Sequence, residues 1–250
     1  MRVVIVGLGL IGGSIARGLS AAGHHVVGVD RAPVLRRARR ARAIAASASS
    51  PAAAASSADI VVLAAPPRAN LRLLRALSRS RAAAVVTDVG SVKRPICAEA
   101  ARLGLDRFVG GHPMAGTAAS GFGASDARLF AGRAWVLTPQ RGRRPPRALL
   151  ALIRDLGAKV VVTSPVAHDR AVAFLSHVPQ IVAWALADAA AADPVARRHR
   201  RLAGPAFRDM TRIARSSPAL WRQILDANRV EVRRALAAFG RAIRGARRGA

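Results

Sequence analysis

The feature that most constrains the fold lies at the start of the sequence, where Val3-Val4-Ile5-Val6 runs directly into Gly7-Leu8-Gly9-Leu10-Ile11-Gly12. An all-apolar strand followed by G-x-G-x-x-G is the fingerprint of a dinucleotide-binding strand–turn–helix. Gly7 allows the tight turn, Gly9 lets the backbone approach a pyrophosphate, and Gly12 lets helix and strand pack closely. The predicted helix carries Ile11, Ile15 and Leu19 on one face and stops at Gly23. His25-Val26-Val27-Gly28-Val29 reads as a second strand ending in Asp30. An acid about 20 residues past the fingerprint sits where a ribose 2′-hydroxyl needs an acceptor. The cofactor contacts are therefore expected at Gly7, Leu8, Gly9, Leu10, Ile11, Gly12, Asp30 and Arg31. Asp30 favours NAD by repelling the 2′-phosphate of NADP, while Arg31 beside it could accept that phosphate.

With 250 residues, 52% of them hydrophobic, the chain can bury one large core or two modest ones. The single cysteine, Cys97, excludes a disulfide framework and a cysteine-based metal site, so no metal is expected. No apolar run approaches the ~20 residues of a membrane span, and a strand starting at residue 2 leaves no room for a leader. The expectation is a cytoplasmic protein with no membrane partner.

The net charge of +28 would ordinarily suggest nucleic acid. Only Lys93 and Lys159 are lysines, however, so the excess is arginine in an alanine-rich chain. The runs Arg36-Arg37-Ala38-Arg39-Arg40, Arg197-Arg198-His199-Arg200-Arg201 and Arg247-Arg248 lack the interleaved aromatics that stack single-stranded bases. They read as solvated faces, with no nucleic-acid partner. A polyanion-binding protein with a vestigial dinucleotide fold stays open as the remote alternative.

Strands alternate with helical stretches up to about residue 163, as a doubly wound, mostly parallel α/β sheet requires. Ile60-Val61-Val62-Leu63-Ala64, closed by Pro66-Pro67, reads as a buried strand, and Ala83 to Thr87 as another, followed by a helix through Leu103. A short strand leads into Gly110-Gly111-His112, and Trp135-Val136-Leu137 and Val160-Val161-Val162 add two more around an Arg/Pro-rich turn, Gln140 to Pro146. From Val166 onward only helical periodicity appears. One long helix is expected from Val166 to Ala192, bent at Pro179, which removes a backbone donor. A last helix starts at Ser217-Pro218, with Leu225, Val232, Leu236, Phe239 and Ile243 on one face that needs a partner. The reading is a Rossmann-type nucleotide-binding domain over 1–163 and an all-helical domain over 164–250.

Ligands of such sheets bind beyond the carboxyl ends of the strands. Two of those ends carry reactive groups: Gly90-Ser91-Val92-Lys93 and Gly111-His112-Pro113-Met114-Ala115-Gly116. His112, held between glycines and a proline, could accept the proton of an alcohol losing hydride, or simply be a hydrogen-bonded loop histidine. Ser91 could equally be the N-cap of its helix. Arg212 could grip a carboxylate with its planar fork, or pair with Asp209 three residues away.

Five segments in order carry a resemblance. These are Gly7 to Ser14, Thr87-Asp88-Val89-Gly90-Ser91-Val92-Lys93, Gly111-His112-Pro113-Met114-Ala115-Gly116-Thr117, Ser176-His177-Val178-Pro179-Gln180, and Phe207-Arg208-Asp209-Met210-Thr211-Arg212-Ile213-Ala214 through Trp221. Together they resemble the prephenate dehydrogenase family, which includes arogenate dehydrogenases, over essentially the whole chain. The resemblance implies an NAD-dependent oxidative decarboxylation of prephenate to 4-hydroxyphenylpyruvate in tyrosine biosynthesis, with arogenate as the alternative substrate. It implies that His112 is the catalytic histidine, taking the proton of the ring C4 hydroxyl, and that Ser91 orients that hydroxyl. By the same resemblance Arg212 holds the ring carboxylate and Ser176 and Gln180 meet the substrate side chain. Trp221 would reach the site from the second subunit of a homodimer built through the helical domain.

Two positions depart from the family pattern. Ala118 stands where many members have glutamate, and Gln180 where many have histidine. An ammonium on the substrate would want a carboxylate partner, so the missing glutamate tilts the expectation toward prephenate. The chain ends with the helical domain, which points to a monofunctional enzyme. A β-hydroxyacid dehydrogenase, the rival with a similar layout, needs a lysine on its helical part, and none follows Lys159.

Overall fold

Val3, Val4, Ile5 and Val6 are all buried, so the first strand lies inside a sheet covered on both faces. The computed structural model describes residues 1–80, 83–117 and 119–246, and separates into two units, Met1–His168 and Asp169–Ala250. The elements of the first run β1 (Arg2–Val6), α1 (Leu10–Ala21), β2 (His25–Val29), α2 (Ala32–Arg40), β3 (Ala46–Ser47), α3 (Pro51–Ala55), β4 (Ile60–Leu63), α4 (Pro67–Ser80) and β5 (Val85–Asp88). They continue with α5 (Arg94–Arg102), β6 (Phe108–Pro113), β7 (Ala134–Thr138), α6 (Arg147–Asp155), β8 (Lys159–Val162) and α7 (Pro165–Val172), which runs across the boundary between the units.

The eight strands form one sheet in the order β3-β2-β1-β4-β5-β6-β7-β8. All neighbours are parallel except β6 and β7, which pair antiparallel. From β1 the chain winds outward to β2 and β3, then returns to β4 on the other side of β1, which makes the carboxyl ends of β1 and β4 the switch point. Val6 is level with Val29 and Leu63, and Leu63 with Asp88. The residues just past these ends, Gly7, Asp30 and Ala64, therefore share one edge of the sheet. Thr87 is level with Val109, so β6 continues past the end of β5 and carries Gly111 and His112 beyond it.

The alternation of side chains along β1 builds two cores. Val3 and Ile5 pack with Ile15, Leu19, Leu149, Leu152 and Ile153 of α1 and α6. Val4 and Val6 pack on the opposite face with Ala54, Leu74, Leu77, Ile96 and Ala100 of α3, α4 and α5. Each buried aliphatic side chain contributes about 1.5–3 kcal/mol. The sequence reading passes over α6, whose Leu149, Leu152 and Ile153 face the core behind the arginine- and proline-rich turn. The run Val160-Val161-Val162 is a strand as expected, but it forms the edge of the sheet, and all three valines are exposed.

In the second unit the described residues form helices only, α8 (Val178–Ala192), α9 (Pro194–Arg198), α10 (Pro205–Thr211), α11 (Pro218–Ala227) and α12 (Arg229–Ala246), with short turns between. Ala173, Val178 and Ala235 form its core, with Val182, Leu236 and Phe239 packed against them. The bend expected at Pro179 takes a specific form. Residues Ala173–His177 make one π-turn in which the Val178 N–H donates to the Ala173 carbonyl, and this wider turn relieves the clash a proline ring makes with the preceding turn.

The final helix is two helices, not one. Ser217 caps α11 as expected, accepting the Leu220 N–H at 3.4 Å. Asn228 then breaks the run at φ −114°, ψ 23°, because its buried amide donates to the Asp169 carbonyl at 2.7 Å. Of the predicted apolar face, Val232 is buried and Leu236 and Phe239 pack on the core, while Ile243 remains 47% exposed.

The expectation that no run approaches membrane-span length needs correction. Pro165–Ala192 is a helical run of 28 residues with a mean hydropathy of 1.3 in its most apolar stretch, enough by length and composition to cross a bilayer. It is apolar on average only, because His168, Asp169, Arg170, His177 and Gln180 interrupt it. Core helices of globular proteins meet the same test, and Ala173, Val178 and Val182 of this run pack into the helical core.

Candidate active site

The glycine turn is built as its spacing demands. Gly7 has φ +93°, and a Cβ there would lie 2.8 Å from the Ala64 backbone. At Gly12 a Cβ would fall 1.9 Å from the Gly7 carbonyl oxygen, so only glycine lets α1 approach β1 this closely. Gly9 differs: nothing lies within 4 Å of its missing side chain. The fold itself does not require that glycine, and the open space suits an approaching phosphate. Gly9 is also the N-cap of α1, with no side-chain cap and no acid in the first turn, which leaves backbone donors for an anion. Asp30 closes the arrangement. Its Oδ2 accepts the Leu8 N–H at 2.7 Å and its Oδ1 accepts the Arg31 N–H at 2.6 Å, tying the end of β2 to the glycine turn. Arg31 is exposed at the start of α2. These residues fit a dinucleotide.

At the ends of β5 and β6 a buried ion pair organises the backbone. Lys93 Nζ donates to Asp88 Oδ2 at 2.5 Å and to the Gly111 carbonyl at 2.6 Å. Asp88 accepts the Gly90 N–H at 2.8 Å and the Gly111 N–H at 3.1 Å. Packing here is tight enough to require the paired glycines: a Cβ on Gly110 would lie 2.4 Å from Thr138 Oγ1, and one on Gly111 2.5 Å from the Asp88 carbonyl oxygen. The next residue is His112, 9% exposed, with Nδ1 2.9 Å from Nε2 of His168. Ser91 is half-buried between Gly90 and Lys93. It is not the helix cap, since α5 begins at Arg94 with Lys93 in the cap position.

Sequence reasoning missed Lys93 and His168 as members of this cluster. A faint signal existed for each. Lys93 is one of two lysines in an arginine-dominated chain, placed five residues after a strand-end aspartate. His168 interrupts an otherwise apolar helical run.

In the helical unit, Arg212 is exposed at the start of a 3-10 turn, Arg212–Arg215. Among the described residues no ion pair joins it to Asp209, because α10 ends at Thr211 and the helical three-residue spacing is lost. Two side chains of α8 hold this turn: Gln180 Nε2 donates to the Ile213 carbonyl and Trp184 Nε1 to that of Ala214, each at 3.0 Å. Gln180 is thus buried and engaged with the backbone beside Arg212. Ser176 is half-buried within the π-turn. Trp221 packs edge-on against His177 and Trp184 of its own unit, with ring centroids 5.9 and 6.1 Å away. Ala118 and the Arg247-Arg248 run lie outside the described residues.

A doubly wound sheet with this glycine turn, followed by an all-helical unit, defines a two-unit nucleotide-binding protein. The chain belongs to the prephenate dehydrogenase family. Residues 15–162 match its nucleotide-binding domain and residues 164–248 its dimerization domain. The prephenate dehydrogenase of Lactococcus lactis is 35% identical over 238 residues, covering 91% of this chain and 65% of that protein. The chain thus spans just under two thirds of that relative's length. The crystal structure of prephenate dehydrogenase from A. aeolicus, in complex with hydroxyphenyl propionate and NAD+, superposes with a TM-score of 0.87 at 33% identity, over 98% of this chain and 88% of that one. Synechocystis arogenate dehydrogenase superposes at 0.80 with 31% identity, over 98% of this chain and 90% of that one.

Proposed function

We propose that this chain oxidises prephenate with NAD+, releasing the ring C1 carboxylate as CO2 and forming 4-hydroxyphenylpyruvate. The observation that carries the reading is His112: a nearly buried imidazole at the carboxyl end of β6, set by the Asp88–Lys93 pair through Gly111. Family membership supports it, as does the fit of the glycine turn to a dinucleotide.

NAD+, when bound, supplies the hydride acceptor. The open backbone at Gly9 and the uncapped start of α1 would hold its pyrophosphate, and Asp30 the adenosine ribose. Neutral His112 takes the proton of the C4 hydroxyl as the C4–H electron pair leaves, and returns it to the phenol oxygen once the ring is aromatic. Loss of CO2 from C1 places its bonding pair in the ring, and aromatisation drives the step. Ser91 orients the hydroxyl. Arg212 holds the ring carboxylate through paired N–H donors and Ser176 serves the side chain, while Gln180, expected to meet that side chain as well, is buried and holds the turn that carries Arg212. The chain's task is mainly positioning and proton acceptance.

Arogenate is the second reading, favoured by the likeness to an arogenate dehydrogenase. Against it, Ala118 offers no carboxylate to a substrate ammonium. Leu202, Val230 and Met210 of the helical unit are 81%, 71% and 54% exposed, apolar surface that a second copy of the chain would cover in a homodimer. Absorbance of NADH formed with prephenate and with arogenate, measured in parallel, tests the assignment. Faster turnover of prephenate is expected; turnover of arogenate alone reverses the substrate, and turnover of neither removes the proposal.

A further inference from the structure

His168 stands in the first turn of α7, placed there by Ser164. The Ser164 carbonyl accepts the His168 backbone N–H at 2.9 Å, and its hydroxyl oxygen accepts the Ala167 N–H at 3.1 Å. The imidazole is 3% exposed and meets His112 edge to face, with ring centroids 5.1 Å apart and planes at 72°. The Nδ1 of His112 and the Nε2 of His168 are 2.9 Å apart, a hydrogen-bond distance.

A contact of this length between two imidazole nitrogens contains one proton. Two lone pairs would repel, and two N–H groups would clash. Two arrangements remain for a neutral pair. In one, His112 donates from Nδ1 to His168, which leaves a lone pair on His112 Nε2. In the other, His168 donates from Nε2, and His112 must carry its own proton on Nε2. Only the first lets His112 accept a proton, since its Nδ1 is occupied in both. It also stabilises the imidazolium that forms, because the cation keeps donating from Nδ1 to the same lone pair. A second group that fixes the tautomer of a catalytic histidine does this work wherever such a histidine acts as base.

Building on the proposed function, we propose that His168 is the positioning residue that holds His112 in the tautomer with its lone pair on Nε2. It touches neither substrate nor cofactor in this role; it acts through His112.

Two variants and two readouts test this. Replacing His168 with Leu removes the acceptor. Replacing it with Gln returns a carbonyl oxygen near the position of Nε2. The expectation for His168→Leu is a kcat lowered ~10–10⁴-fold, the upper end being the loss seen where a catalytic histidine is left in the wrong tautomer, with substrate KM and NAD+ affinity near wild type. His168→Gln should recover most of that loss. Nitrogen-15 NMR of the histidine rings, with the His112 signals assigned from their disappearance in His112→Asn, should show Nδ1–H on His112 in the wild type. The signal should show mixed tautomers in His168→Leu and return toward Nδ1–H in His168→Gln. A wild-type His112 protonated on Nε2 overturns the proposal, as does a His168→Leu variant with unchanged kcat and tautomer. A merely structural role would lower kcat and raise KM together and would not be rescued by Gln. The NMR arm needs no turnover. A wild type inactive on both substrates would therefore sink the functional reading while the tautomer is still decided, and if His168→Leu does not fold, the wild-type and Gln spectra decide it.

Discussion

Lys93 reaches Asp88 and the Gly111 carbonyl at once, with both charged side chains buried, so the backbone before His112 is pinned by an ion pair. Breaking such a pair leaves an uncompensated charge in the interior, at a cost of about 3–5 kcal/mol. Lys93→Met should lower stability by that order in urea titration and lower kcat with it. Adding Asp88→Asn should recover part of the stability, because the stranded charge is gone. A Lys93→Met variant within the error of wild type in both measurements would contradict this role.

Asp30, proposed to meet the adenosine ribose, also ties down the glycine turn, because its Oδ2 accepts the Leu8 N–H. The wild type should use NAD+ much better than NADP+, and Asp30→Ala should narrow the gap. The same substitution should cost about 1–3 kcal/mol, since a partly buried N–H loses its acceptor. Specificity constants with the two cofactors, alongside a melting curve, check both effects. A wild type that prefers NADP+ would make Arg31 the determinant.

Arg212 is exposed and makes no ion pair with Asp209, so its removal should leave the fold intact. Arg212→Ala should chiefly raise substrate KM, because a hydrogen bond to a charged group is worth about 1.5–3 kcal/mol. Arg212→Lys should rescue poorly, as a point charge lacks the two-pronged geometry. Steady-state kinetics and calorimetry separate the outcomes: an unchanged KM, or a lowered melting temperature shared with Asp209→Ala, would remove the carboxylate clamp.

Glu99 contributes on the acid side of the stability curve. Arg102 and Arg75 hydrogen-bond Glu99 and hold its carboxyl down from 4.5 to about 2. A depressed carboxyl stabilises the fold above its ordinary value and loses that contribution as pH falls through the folded one. Glu99→Gln should therefore flatten the decline in stability between about pH 4.5 and 2. A decline as steep as that of the wild type would assign it to other carboxylates.

The nucleotide cleft was readable because its rules are local. Gly7, Gly12 and Asp30 are fixed by the turn, the close packing and the strand end, all within thirty residues of sequence. His112 was readable as a strand-end residue between paired glycines and a proline, whereas its partners were not. Lys93 belongs to a cluster whose burial comes from the pairing of β5 with β6, and His168 lies 56 residues from the ring it meets. Asn228 hid the break in the last helix for the same reason, since its bond partner Asp169 is 59 residues away. Where the controlling contact is tertiary, periodicity does not show it. The widened turn before Pro179 lies between these cases: the proline marks the place, and packing selects the form.

The central claim is that His112 accepts the substrate's proton, and His112→Asn tests it most directly. Asparagine keeps the size and some hydrogen bonding but takes no proton, so kcat should fall ~10²–10⁴-fold with substrate KM little changed. Because His112 must be neutral to act, wild-type kcat should fall on acidification, and that acidic limb should vanish in the variant. A His112→Asn variant that keeps near-wild-type turnover, or that loses turnover yet retains the acidic limb, would show that another group accepts the proton.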